Sequence, residues 1–224
     1  MAAHPRRSFE RTPQRSAPQS PASGDTFLIV VEGEATELRY LKAVRSRLGL
    51  KAAAVHVSHG KHTDPVGIVR DAVLRRDEQL ELAGGSFPAA AYDQTWVVFD
   101  REVHGHPRRR QVPAALRLAE QEKIFVGLSI PSFEYWLLLH YCYTTKLMAD
   151  CNAVIRELKH HIPKYQKGDF PMDALLLRSQ TAMEHADRCT THWEGGGGDR
   201  NPWTGMHTLL HALNQSARST SRLF

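Results

Sequence analysis

With 224 residues, 42% of them apolar and 24% charged, the chain can bury one substantial core and is neither a disordered acidic sequence nor a fibrous one. No apolar run approaches the roughly 20 residues of a bilayer span and no signal-peptide core is recognisable, so a cytoplasmic protein without membrane contact is expected. The net charge of +5 suits a nucleic-acid partner without requiring one, and Cys142, Cys151 and Cys189, lacking a CxxC spacing, exclude a disulfide framework and argue against structural zinc.

Residues 1–24 place Pro5, Pro13, Pro18 and Pro21 and Arg6, Arg7, Arg11 and Arg15 among Ser, Gln and Ala. That composition has no packable face and predicts a disordered basic arm. The first element is the run Phe27–Val31, three of whose five residues are β-branched. An unbroken apolar run predicts a strand buried on both faces, as in parallel sheets. Glu32, Gly33 and Glu34 follow as an acidic turn, and Leu38, Tyr40, Leu41, Val44 and Leu48 then recur at helical spacing. Glu32 is thereby expected just past the strand's carboxyl end, where open α/β sheets bind ligands. Attraction to the positive end of the next helix accounts for Glu32, Glu34 and Glu37 equally well at this point.

Residues 53–58 predict a short second strand. Asp64 and Pro65 mark a helix start, with an apolar stripe from Val66 to Leu82 and a stop at Gly84 and Gly85. Lys61 and His62 just before it read either as phosphate contacts or as a solvated loop. Residues 95–99 form a second buried strand ending in acid, Asp100 and Glu102 around Arg101. A loop carrying His104, His106, Arg108, Arg109 and Arg110 leads to a third helix over residues 112–122. Residues 124–129 predict a further strand, with Ser132 and Glu134 in the turn after it. Residues 135–141 are so apolar that a buried helix is expected, His140 being a hydrogen-bonded core histidine and Tyr135 and Trp136 core aromatics. Strands alternating with helices imply a mostly parallel sheet with helices on both faces over residues 25–143. Residues 144–224 predict a helical C-terminal region packed on that core, with helices over 150–160, 174–189 and 204–214, the last entered through Asn201, Pro202 and Trp203. Residues 194–199 read as a flexible loop.

Glu32, the pair Asp100 and Glu102, and Ser132 with Glu134 all follow strands on what should be one edge of the sheet. Carboxylates a few ångströms apart raise one another's pKa unless a cation lies between them. Oxygen ligands without Cys or clustered His point to Mg²⁺ or Mn²⁺, sharing their remaining positions with water and substrate phosphates. Such an ion serves phosphoryl chemistry. Arg101, Arg108, Arg109 and Arg110 suit bidentate contact with flanking phosphates, or a solvated loop. His104 and His106 read as proton-transfer groups or as exposed loop residues. Lys164 and Lys167 flank Tyr165, an arrangement able to grip a single-stranded backbone with a base on the ring, or a plain surface turn.

Taken together, Val30 to Glu34 with Thr36 and Glu37, Val97 to Arg101, Pro131 to His140, Lys164 to Lys167 and Asn201 to Thr204 resemble the RloB-like proteins of bacterial restriction and phage-defence loci. The resemblance implies a Toprim-type fold, with a Glu after the first strand for acid/base or metal work and an Asp-x-Asp metal pair after a later one. On this chain the Glu is Glu32, and the pair is Asp100 and Glu102, a departure from the second Asp. Glu134 adds a further carboxylate. The implied function is a Mg²⁺- or Mn²⁺-dependent nuclease acting on DNA or RNA, an antiphage effector partnered with an ABC-type ATPase and open to homo-oligomerisation. Two other classes remain: a non-catalytic subunit that holds nucleic acid or a partner protein, and a nucleotidyl-transfer enzyme.

Overall fold

The computed structural model describes residues 24–52, 54–85, 91–102, 107–194 and 200–217, without the side chain of Arg108. The expected basic arm up to residue 23, His104, His106 and residues 195–199 lie outside this set. The elements run β1 (Phe27–Val31), α1 (Thr36–Arg47), β2 (Val55–His59), α2 (Pro65–Ala83), β3 (Gln94–Asp100), α3 (Val112–Gln121), β4 (Phe125–Ile130) and α4 (Glu134–Leu139). There follow α5 (Cys151–His161), α6 (Met172–Leu176), α7 (Ser179–Glu194), β5 (Trp203–Thr204) and α8 (Met206–Ser216). The five strands form one sheet in the order β2-β1-β3-β4-β5, parallel except for β5.

Side chains alternate across a strand, so each apolar strand feeds two cores. Leu28, Val30, Val97, Phe99, Leu128 and Ile130 join Ile68, Ala72 and Ala115 of α2 and α3 on one face. Phe27, Ile29, Val31, Trp96 and Val98 face the other way, into a larger cluster with α1, α4, α5, α7 and α8. Burial on both faces is the physical reason these strands lack polar alternation. Helix α4 lies inside the larger cluster, every residue from Glu134 to Leu139 buried. His140, after it, is satisfied at both ring nitrogens: Nδ1–H donates to the Trp136 carbonyl oxygen (2.9 Å), and the Tyr40 hydroxyl donates to Nε2 (3.1 Å). Burial pushes its pKa down to about 4, so the ring is neutral at physiological pH.

Local chemistry sets the helix starts. The Asp64 carboxylate accepts from Gly67 N–H (2.9 Å) with Pro65 in the first helical position, and Asp150 accepts from Ala153 N–H (2.7 Å). Three expectations change. The helix expected over 174–189 is two, α6 and α7, broken where the Ser179 hydroxyl donates to the Leu176 carbonyl (2.9 Å) and Leu177 turns outward. Residues 107–111, expected as loop, form a short 3-10 turn. Trp203, expected to lead into the last helix, and Thr204, expected as its first residue, instead pair antiparallel with Ile130 and Ser129. The Ser129 and Thr204 hydroxyls hydrogen-bond at 3.0 Å and Gly205 N–H donates to the Leu128 carbonyl (2.8 Å), pinning this edge.

Leu137 is fully buried and Leu177 is 77% exposed. Leu137→Ala should therefore lower the unfolding free energy by about 2–5 kcal/mol, whereas Leu177→Ala should stay within about 0.5 kcal/mol of wild type in urea denaturation.

Candidate functional site

The sheet's hydrogen-bond ladder continues past the strands and carries the acidic residues with it. Glu32 N–H donates to the Val98 carbonyl (2.9 Å), Arg101 N–H to that of Ser129 (2.8 Å) and Glu102 N–H to that of Pro131 (3.1 Å). The Asp100 amide donates to Glu32 Oε2 (3.1 Å), tying the ends of β1 and β3 together. The result is a cleft of about 410 Å³ lined by Glu32, Glu37, Asp100, Glu102, Glu134 and Lys167, with Glu34, His59 and Thr63 at its side. The predicted acids therefore meet in one place, as the parallel topology requires of carboxyl-end residues.

Glu37 was expected only as a favourable charge in the first turn of α1, yet its carboxylate folds back over Gly33, where a Cβ would collide with it. Burial first, opposed by a backbone hydrogen bond and reinforced by Glu134 and Glu32, pushes its pKa up to about 7. Burial, then the charges of Glu37, Glu134, Glu32 and Glu102, hold the Asp100 carboxyl well above the ordinary carboxylate range. Glu102 has φ of 61°, left-handed backbone that side-chain-bearing residues rarely adopt.

Glu134 is the exception among these acids. Burial alone would raise it, but Lys167, the Ser132 hydroxyl, a main-chain amide and the Cys151 thiol hold its carboxyl below its usual value. Ser132 donates to Oε2 (2.7 Å) and Tyr165 to Oε1 (3.2 Å), while Lys167 Nζ lies 3.4 Å from Oε1. Lys167 reaches the cleft because the turn at 166–169 folds back onto α1. Gly168, at φ of 76°, donates its N–H to Thr36 Oγ1 (3.2 Å), and its carbonyl accepts from Arg39. Burial, then Glu134, pushes the Cys151 thiol up to about 12, so it acts as a hydrogen-bond donor and not as a nucleophile.

The predicted phosphate contacts divide. Lys167 joins the acid cleft, whereas Arg101 and Arg109 line a separate groove, Arg110 and Lys164 are exposed, and the Arg108 side chain lies outside the described residues. A base stacked on Tyr165 is corrected: the ring is 3% exposed and packs on Phe170 with centroids 5.8 Å apart. Among the described residues no three His, Cys, Asp or Glu side chains converge into a ready-made metal cage. The donor set still fits Mg²⁺ or Mn²⁺, because the available atoms are carboxylate oxygens and Mg²⁺ takes only one or two of them beside water and phosphate.

Glu37 and Asp100 bind protons more tightly folded than unfolded, so the stability they contribute is complete at acid pH and is lost as the pH rises, for Glu37 through about 7. Glu134, shifted the other way, loses its contribution only as the pH falls below its usual 4.5. In chelator, Tm should decline across the upper window, and Asp100→Asn should flatten the decline and raise Tm at about pH 8; a Tm that climbs there would contradict the repulsion. Glu102→Gly, which removes the left-handed strain, should raise Tm by about 2–4 °C while depleting the cleft of a carboxylate.

No curated protein and no solved structure matches the chain. The profile of the RloB-like proteins matches residues 27–213, from the first residue of β1 into α8, and so takes in the cleft acids, the Lys167 turn and the β5 edge. The chain belongs to the RloB-like protein family.

Proposed function

We propose that this RloB-like protein is a Mg²⁺- or Mn²⁺-dependent Toprim-type nuclease that hydrolyses phosphodiester bonds of DNA or RNA as an effector of bacterial antiphage defence. The observation that carries the reading is the meeting of Glu32, Asp100, Glu102 and Glu134, from three different strand ends, in one cleft with Lys167. Glu32, Asp100 and Glu102 are the residues that would hold a divalent ion. When bound, such an ion supplies charge neutralisation at the phosphate and acidity to a water. The Asp100 amide donates to Glu32 Oε2 and holds the carboxylate that would serve proton transfer in the cleft. Glu134 anchors Lys167, whose ammonium is then available to a phosphate oxygen. Action in the cytoplasm fits three cysteines without a CxxC spacing, an ABC-type ATPase partner rests on the family resemblance, and self-association belongs to the same proposal.

One observation favours a second reading, a non-catalytic subunit that binds nucleic acid or a partner: the described acids form no three-ligand group. Cleavage separates the two. With Mn²⁺, the purified full chain should cut labelled DNA or RNA, and Glu32→Gln or Asp100→Asn should slow cutting by at least about 100-fold and abolish phage protection. Mn²⁺ should also raise Tm for wild type more at about pH 8 than at about pH 5, and fail to do so for Asp100→Asn. Intact phage protection by Glu32→Gln, with no cutting by wild type, would leave only the binding subunit.

A further inference from the structure

A second cleft, of about 530 Å³, is lined by Arg101, which stands in the chain between the acid-cleft residues Asp100 and Glu102. Asp100, at the extended end of β3, lines the acid cleft and Arg101 beside it lines the second groove, as neighbours in extended chain do, while Glu102, in left-handed backbone, turns back to the acid cleft. Arg109 from the 3-10 turn and Arg200 from the approach to β5 bring two further guanidinium groups, and Trp203 stands as an aromatic wall. The floor is apolar, made by β4 and α3 side chains such as Leu128 and Leu116, the latter 38% exposed.

The wall is already fixed. Trp203 Nε1–H donates to Thr190 Oγ1 (3.1 Å), Arg200 Cζ lies 5.6 Å from the Trp203 ring centroid, and Arg101 Nη2 donates to the Arg200 carbonyl (3.1 Å). The volume falls within the roughly 300–1,000 Å³ of small-molecule sites. The lining combines three guanidinium side chains with an apolar floor, so a wholly apolar partner matches only half of it. A nucleotide satisfies both halves of the groove: phosphate oxygens match the guanidinium forks, and a flat base matches the apolar floor and indole. The groove also meets a need of the acid cleft, which by itself repels a polyanion.

We propose that this groove is a nucleotide subsite, gripping a single-stranded DNA or RNA segment next to the bond presented to the acid cleft. It rests on the nucleic-acid reading above but not on catalysis. The test is fluorescence anisotropy of the full chain with fluorescein-labelled oligothymidylate and oligouridylate, in chelator so that no cutting occurs. Wild type should bind in a salt-dependent manner. Replacing both Arg109 and Arg200 by Ala should reduce the slope of log affinity against log salt by about 1.4, at about 0.7 per phosphate contact. Trp203→Ala should weaken binding about 5- to 150-fold, and Trp203→Phe, which keeps a ring in the wall, should retain most of the affinity. Glu32→Gln should bind at least as tightly as wild type. Failure to bind either oligonucleotide, or wild-type affinity and salt slope in the arginine and Trp203→Ala variants, would overturn the subsite and leave the groove to an acidic protein segment. Cutting that still depends on Glu32 would then keep the nuclease reading, whereas a groove that binds as expected in a protein that never cuts would keep the subsite and remove catalysis.

Discussion

Like charges brought together out of water set the terms for this molecule. Two carboxylates about 4 Å apart repel by about 4 kcal/mol at an effective dielectric near 20, and no fold assembles five of them in one cleft without relief. Two forms of relief are visible. Asp100 and Glu37 are driven toward the protonated state, while Glu134 is held toward its ionised form by Lys167 and the neutral donors around it. A divalent cation would be the third, and it would act on the acids that Lys167 does not directly pair. Glu134 and Asp100 are thus treated unequally within one cleft, the first kept charged and the second driven toward its neutral form.

What holds the repelling groups in place is main chain. The ladder between β1, β3 and β4 continues through Glu32, Arg101 and Glu102, so the acids are set by the same bonds that set the sheet. Moving any one of them apart would break hydrogen bonds whose partners are buried. Both faces of the sheet are packed, and a slip by one residue would turn apolar side chains from one core to the other. The two cores thus fix the register, and the register fixes the acids.

This logic explains what the amino-acid sequence discloses and what it hides. Glu32, Asp100 and Glu134 are legible because each closes or follows an apolar run, and parallel strands bring their carboxyl ends to one edge. Glu37 is not, since a Glu in a first helical turn already has an ordinary electrostatic reason; its turn back over Gly33 is a three-dimensional fact. The Lys164 to Lys167 stretch looks like an exposed basic grip because nothing periodic shows that Gly168 docks on Thr36 and buries the Tyr165 ring. β5 escapes for a simpler reason: two residues carry no periodicity. Arg200 and Trp203 acquire meaning only beside Arg101 and Arg109, which lie some hundred residues away in the chain.

The position of Glu102, two residues past Asp100, also has a physical account. Asp100 ends β3 in extended conformation, but Glu102 has already turned into the left-handed region. A backbone that has veered off the strand direction carries its Cβ away from the line an extended residue would follow. The additional methylene of Glu lengthens the reach from that displaced backbone, and the carboxylate still lines the cleft. The same turn leaves Arg101 as the last residue before the chain changes course, with its guanidinium on the opposite side. Three consecutive residues thereby separate charge across a single strand end: acid on one side, where a cation and a scissile phosphate would meet, and base on the other, where the neighbouring phosphates of the same strand would be held.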